Sequence, residues 1–237
     1  MLGNYVNLLT IVIGSIIGLL VKKGLKDKYK KIVMQAIGLA VVFIGAAGAI
    51  SGLLNPESEP VLFIISLMIG GAVGELIGIE KALERLGALI QRKMGSAESN
   101  VAQGFVTASL IFCVGTMAII GSLESGLMGD HNILYAKSVL DGVTSMILAS
   151  TLGIGVIFSA AAVFVYQGSI IVFASFLEPF LTDNIIREIS IIGGILIFGI
   201  GVNLLEITKI KTANLLPAIV VPVIYYILIV PLFRYFI

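Results

Sequence analysis

The sequence predicts an all-α fold: a polytopic membrane helix bundle of about eight transmembrane helices in a single integral membrane domain, 1–237. Three observations predict it. Of 237 residues, 58% are hydrophobic and 12% charged, about half the roughly 25% charge of ordinary globular domains. The mean hydropathy is +1.11. Apolar runs of the length that crosses a bilayer, about 20 residues each, follow one another along the whole chain. Twenty-seven glycines show no collagen period and suit helices whose backbones approach closely. This composition excludes a disordered or nucleic-acid-binding protein and leaves too little charge to cover a water-facing enzyme domain.

The runs fall at 2–21, 32–54, 61–79, 101–123, 152–176, 189–207 and 213–233. An eighth, 133–151, is less apolar because it carries Lys137 and Asp141. The first run has neither a charged region ahead of it nor a small-residue cleavage site, so it reads as a retained span. The loops alternate in charge. Lys22, Lys23, Lys26, Lys28, Lys30 and Lys31 follow the first span, and the segment 55–60 has no basic residue. Lys81, Arg85, Arg92 and Lys93 follow the third, and the loop around Glu124, Asp130 and His131 has no Lys or Arg. If 133–151 crosses, Lys209 and Lys211 join the first and third loops. That places 12 of the 15 basic residues on one side and only Arg187 and Arg234 on the other. The positive-inside rule then gives eight spans with both termini outside. The uncharged junction at 150–155 leaves a re-entrant pair as the alternative. Within 80–100, Leu83, Leu86, Leu89 and Ile90 recur at helical spacing among charges, as in a cytoplasmic amphipathic connector.

Sequence echoes suggest repeated helical hairpins. Residues 13–20 and 69–76 share I-G-small-x-(I/V)-G-x-L, each ahead of a basic loop, and V-N-L-L occurs around Asn7 and again around Asn203. Similar composition among glycine-rich helices is the alternative. Gly14 and Gly18, and likewise Gly70 and Gly74, form small-xxx-small rows for helix contact within or between subunits. Asn7 and Asn203 read as interhelical hydrogen-bond residues. Pro217, Pro222 and Pro231 predict a kinked or broken last span.

The most informative stretch is 136–151. On a helix, Lys137, Asp141, Thr144 and Thr151 share a face with Ser145 beside it. An ionisable residue inside the bilayer costs about 2.5–3.5 kcal/mol on insertion scales. The row is therefore expected to contact a small solute or ion, with Lys137 orienting Asp141 and the hydroxyls extending a polar track. Structural neutralisation of a snorkelling Lys137 is the competing account. Glu75, about one turn from the inner end of the third span, is a second candidate. His131 lies at the outer mouth. Cys113 is read as a buried apolar thiol. No nucleophile–base pair, zinc spacing or phosphate-cradling loop occurs, so no enzyme activity, cofactor or metal is expected. The expected partners are the lipid bilayer, a small solute or ion, and a second copy of the chain.

Residues 3–18, 34–39, 140–145, 149–155 and 213–218 resemble the bacterial YdfK/YqgA-like family of membrane proteins with a domain of unknown function. That resemblance implies a bacterial inner-membrane protein and names no activity. The chain is expected to be a transporter or channel, with a non-transporting scaffold or regulatory partner as the alternative. A transporter should show a water-accessible cavity reaching Lys137 and Asp141, whereas a scaffold should have them sealed.

The topology is testable by single-cysteine labelling in a Cys113→Ala background. The lysine distribution predicts that a cysteine at position 26 resists an impermeant reagent added outside intact cells and reacts once the membrane is opened. Labelling from outside would reverse the orientation.

Overall fold

The computed structural model describes residues 1–24, 27–82, 85, 101–113 and 116–232, with side chains at 22–30, 33 and 116 also outside the description. The amphipathic connector expected over 80–100 falls largely outside the described residues. Every regular element described is helical. Helices α1 (Leu2–Gly24), α2 (Asp27–Leu53) and α3 (Pro60–Ile77) are followed by α4 (Val101–Cys113) and α5 (Thr116–Leu127), then α6 (Asn132–Leu152), α7 (Gly155–Val172), a short α8 (Ala174–Leu177) and α9 (Asp183–Leu204). The last span starts as a 3₁₀ helix (Thr212–Ile219), continues as α10 (Val220–Ile224) and ends in a π turn (Tyr225–Ile229).

Local chemistry explains the boundaries. Pro60 starts α3, where its missing N–H costs nothing. Gly78 ends it at φ 73°, a left-handed cap whose N–H bonds Gly74 O. Gly153, at φ 82° and ψ −156°, takes a conformation restricted to glycine, so α6 stops and α7 starts two residues later without a loop. The re-entrant alternative gives way to two full helices. Thr182 caps α9 by accepting the Ile185 N–H, which starts the seventh span at 183, not at the expected 189. The expected kink in the last span takes the form of a change in helix type: Pro217 lies inside the 3₁₀ stretch, where its ring and absent donor disfavour an α turn.

Among the described residues, seven helices are long and apolar enough to cross a membrane, and α4 with α5 forms one further pair bent by 60°. The bent pair replaces the continuous span expected at 101–123. Its course follows the whole length of α6. A Cβ on Gly104 of α4 would lie 3.1 Å from Leu152 O, at the C-terminal end of α6, and one on Gly121 of α5 would lie 2.7 Å from Ile133, at its N-terminal end. Gly3 faces Leu134, Gly14 faces Gly142 and Gly18 faces Met146, so α1 and α6 run parallel. Parallel direction requires the intervening chain to return to its starting side, which the broken pair accomplishes. With the bent pair taken as one span, the described residues hold up to eight crossings, the number the lysine pattern requires.

The helices sort into two groups. One contains α1, α4, α5, α6 and α7; the other contains α2, α3, α9 and the last span. The close glycine approaches found among the described residues join helices of the same group: Gly14 and Gly18 on α6, Gly155 on Val101, Gly45 on Phe198 and Gly194, and Gly70 and Gly74 on Ala218 and Asn214. The middle of the seam between groups is apolar, with Ile37, Val41, Ile197 and Ile200 in one core cluster with Leu110, Phe112 and Leu148.

These contacts predict position-specific costs. An alanine Cβ at Gly14 would sit 2.1 Å from Gly142 O, whereas one at Gly48 finds its nearest neighbour at 3.7 Å. Gly14→Ala is expected to lose about 1–3 kcal/mol by overpacking, and Gly48→Ala to be neutral or stabilising. Thermal unfolding of both variants in detergent checks this; equal melting temperatures would refute the tight α1–α6 contact.

Candidate functional site

Helix α6 packs on both α1 and α7, and its Lys137 and Asp141 are each 6% exposed. One turn apart, they form an ion pair between Lys137 Nζ and Asp141 Oδ2. The carboxylate does not depend on the lysine alone. Asn7 Nδ2 of α1 donates to Asp141 Oδ2 at 3.0 Å and to Gln167 Oε1 of α7 at 3.1 Å. Asn4, one turn before Asn7, donates to Phe164 O at 3.0 Å. The Lys137 ammonium also lies 5.9 Å from the centre of the Phe112 ring, within cation–π range. Phe112 is in the last turn of α4, beside the break in that span. The result is a buried chain, Lys137–Asp141–Asn7–Gln167, where three helices cross.

Its hydrogen-bonding capacity is not filled. Asn7 Oδ1, Gln167 Nε2 and Asn4 Oδ1 are buried without a partner among the described residues. A buried polar group left unpaired costs about 1–3 kcal/mol, so native interiors rarely leave several side by side. Here an open amide acceptor and an open amide donor adjoin a carboxylate and an ammonium. That set can meet donors, acceptors and charge of either sign on a small ligand.

The hydroxyl track is arranged differently from the sequence expectation. Ser145 is buried and donates at 2.8 Å to Gly142 O and at 3.1 Å to Ile11 O, stitching α6 to α1. Thr151 donates to Leu148 O at 3.0 Å. Thr144 and Thr151 are half-buried, outside the Asp141 cluster. Asn203 brackets the turn after α9, donating to Ile210 O and accepting from Ile210 N, both at 2.7 Å. Thus the two V-N-L-L asparagines perform different tasks, one between helices and one closing a turn.

Glu75 belongs to a second centre. It accepts from Lys211 Nζ and from Asn214 Nδ2, both at 2.6 Å, and Asn214 Oδ1 accepts the Glu80 N–H at 2.7 Å. These bonds pin the end of α3 to the start of the last span. Hydrogen bonding and charge from Glu75 hold the Lys211 ammonium above the usual lysine range. The cluster opens on a cavity of about 520 Å³ lined also by Lys81, Gln103, Lys209 and Thr107. A second cavity, of about 670 Å³, lies at the opposite end between α2 and α9, with Arg187, Ser190 and Ile120 of α5 in its wall. Both cavities lie along the seam between the helix groups. Neither is lined by Lys137 or Asp141, so the pair is sealed from both, and the structure does not bring Glu75 to Asp141.

The sequence reading missed Gln167 and Glu188, both fully buried. Gln167 interrupts the apolar run of α7 and meets the criterion that singled out Asp141. Glu188 falls one residue ahead of the span expected from 189, and the signals that include it in the helix are the Thr182 cap and Asp183 in the first turn.

A family model described as "Protein of unknown function (DUF554)" matches residues 2–227. The chain is 44% identical over 222 residues to "Uncharacterized membrane protein YdfK" of Bacillus subtilis (strain 168), covering 94% of each chain. It is 27% identical over 224 residues to "Uncharacterized protein YqgA" of Escherichia coli (strain K12), covering 92% of this chain and 93% of that one. No solved structure matches.

Asn7 is the junction of the buried chain. Asn7→Ala strands the Asp141 and Gln167 acceptors and is expected to cost about 1–3 kcal/mol, read as a lower melting temperature in detergent. An unchanged melting temperature would show that the network does not support the fold.

Proposed function

The chain belongs to the DUF554 family of membrane proteins, and we propose that it is a carrier for a small polar or charged solute or ion, held in a bacterial inner membrane. One observation carries this reading: a buried ion pair flanked by amides with unused hydrogen bonds, beside a broken span. Intramembrane charge is costly and concentrates at pathways and ligand sites. Interrupted helices near the middle of the bilayer commonly form such sites.

The placement of the site favours a mechanism. Asp141, Lys137, Asn7 and Gln167 all lie within one helix group, while a cavity opens at each end of the seam beside it. Movement of one group past the other would connect the site to each side in turn, as in hinge or shear motions of packed helices. A channel would need a continuous wet path to the pair, which the sealing argues against. The hairpin echoes fit this reading, since carriers often place sites between internal repeats. A homo-oligomer is compatible with it, although the glycine rows at 14–18 and 70–74 are occupied within the chain.

The sealing of the pair by neighbouring helices itself favours a second reading over a carrier. A scaffold or regulatory partner without transport would bury the pair in the same way, using it only to fix the pairing of α1, α6 and α7.

Asp141→Asn separates the two, because it keeps shape and removes charge. Wild-type protein is screened in detergent against inorganic ions, amines and organic acids for a compound that raises its melting temperature by several degrees. The carrier reading predicts that the substitution abolishes the response to that compound while the protein stays folded. If the variant melts lower and still responds as before, the pair is structural and the scaffold reading stands.

A further inference from the structure

A third polar centre, made by the other helix group, lies at the end opposite the Glu75 cluster. Glu188 of α9 is fully buried. Its Oε1 accepts the backbone N–H of Glu59 at 3.1 Å, and its Oε2 has no hydrogen-bond partner among the described residues. The next residue along is Pro60, which has no N–H to offer, and Glu59 N–H is the one donor from the start of α3 that reaches the carboxylate among the described residues. Arg187, the neighbouring cation, makes no hydrogen bond to the Glu188 carboxylate among the described residues. Its guanidinium bonds the Glu57 carboxylate, Glu57 O and Asn184 Oδ1. The Glu59 side chain caps nothing at the start of its own helix; its Oε1 instead accepts from Tyr226 OH at 3.1 Å. Tyr226 packs edge-on against Tyr225, and both sit in the π turn of the last span, an irregularity frequent at functional sites.

We propose that Glu188 and Glu59 form a binding site for one singly charged cation, clamped between the start of α3, α9 and the π turn. A buried carboxylate is tolerated only when paired, hydrogen-bonded or neutralised, and Glu188 is half-satisfied. No group of three or more Asp, Glu, His or Cys that can hold a metal occurs among the described residues, which suits an alkali ion or a proton and not a divalent metal. This site does not depend on the carrier reading, since it is tested without cargo or flux.

The test is thermal unfolding of the full chain in detergent, followed by tyrosine fluorescence because the protein has no tryptophan. Sodium and potassium chloride are titrated against choline chloride at fixed ionic strength, and pH is then lowered from 8 to 5 in choline. An alkali-ion site gives a rise of several degrees with sodium or potassium only. A proton site gives no alkali response and a rise as pH falls. The facing groups are Glu57, Glu59, Arg187, Tyr225 and Tyr226, so Glu57→Gln is the control and should keep whichever response occurs. Glu188→Gln should flatten it, and Tyr226→Phe should shift its midpoint several-fold. If Glu188→Gln does not fold, Glu59→Gln and Tyr226→Phe decide. The proposal is overturned if the wild type responds to neither titration, or if the variants at 188, 59 and 226 respond as the wild type does.

Discussion

The constraint on which the rest of the structure depends is the burial of the Lys137–Asp141 ion pair within the helix bundle. In a bilayer an ionised pair finds no solvent to share its charge, and partnering by protein must replace it. The pair alone satisfies little: a carboxylate has about four acceptor sites and an ammonium three donors. This explains why Asn7 of α1 and Gln167 of α7 converge on α6, and why an aromatic face, Phe112, lies near the ammonium. Removing one partner from a buried pair is expected to cost about 3–5 kcal/mol. The charge centre thus dictates which three helices must cross, and at what depth.

Crossing at that depth demands backbones close enough for short side chains to meet. Asn7 can reach Asp141 only because α1 and α6 approach within glycine distance immediately below, at Gly14 against Gly142 and Gly18 against Met146. The Ser145 hydroxyl then reaches across to Ile11 O, a contact impossible between helices held apart by leucines. Glycine and polar residues therefore act together. The first brings the backbones in and the second fixes their register. In lipid, where burying apolar surface gives no advantage over exposing it, this combination is the main source of helix association.

Composition made the all-α membrane class and the number of crossings legible, because length and charge are properties of each span separately. The position of Asp141 was legible for the same reason. Its partners were not. Asn7 and Gln167 lie in separate apolar runs, and only the parallel packing of α1 on α6 brings Asn7 to Asp141. A one-dimensional reading of hydroxyls on one helical face could not anticipate that Ser145 and Thr151 would spend their protons on carbonyls one turn back, a local bond that Ser and Thr in membrane helices often make. The break at α4–α5 left no proline signal, whereas the irregular last span did announce itself through Pro217 and Pro222. Glu188 escaped because helix ends are the least legible part of any sequence.

The distribution of close contacts gives the two-group architecture its mechanical meaning. Glycine contacts are short and backbone-to-backbone, so a slide along them would drive atoms into each other; they lock each group internally. Across the seam, Ile37, Val41, Ile197 and Ile200 meet Leu110, Phe112 and Leu148 through branched side chains, whose dispersion contacts are weak one by one and have several near-equivalent registers. Such an interface resists separation more than sliding. The polar bonds at the two ends, Glu75 with Lys211 and Asn214 at one and Glu59 with Tyr226 and Glu188 at the other, both join members of the same group. The close glycine contacts among the described residues and the bonds at the two ends thus fall within two groups of helices, with a cavity at each end of the seam and the buried charge centre inside one group.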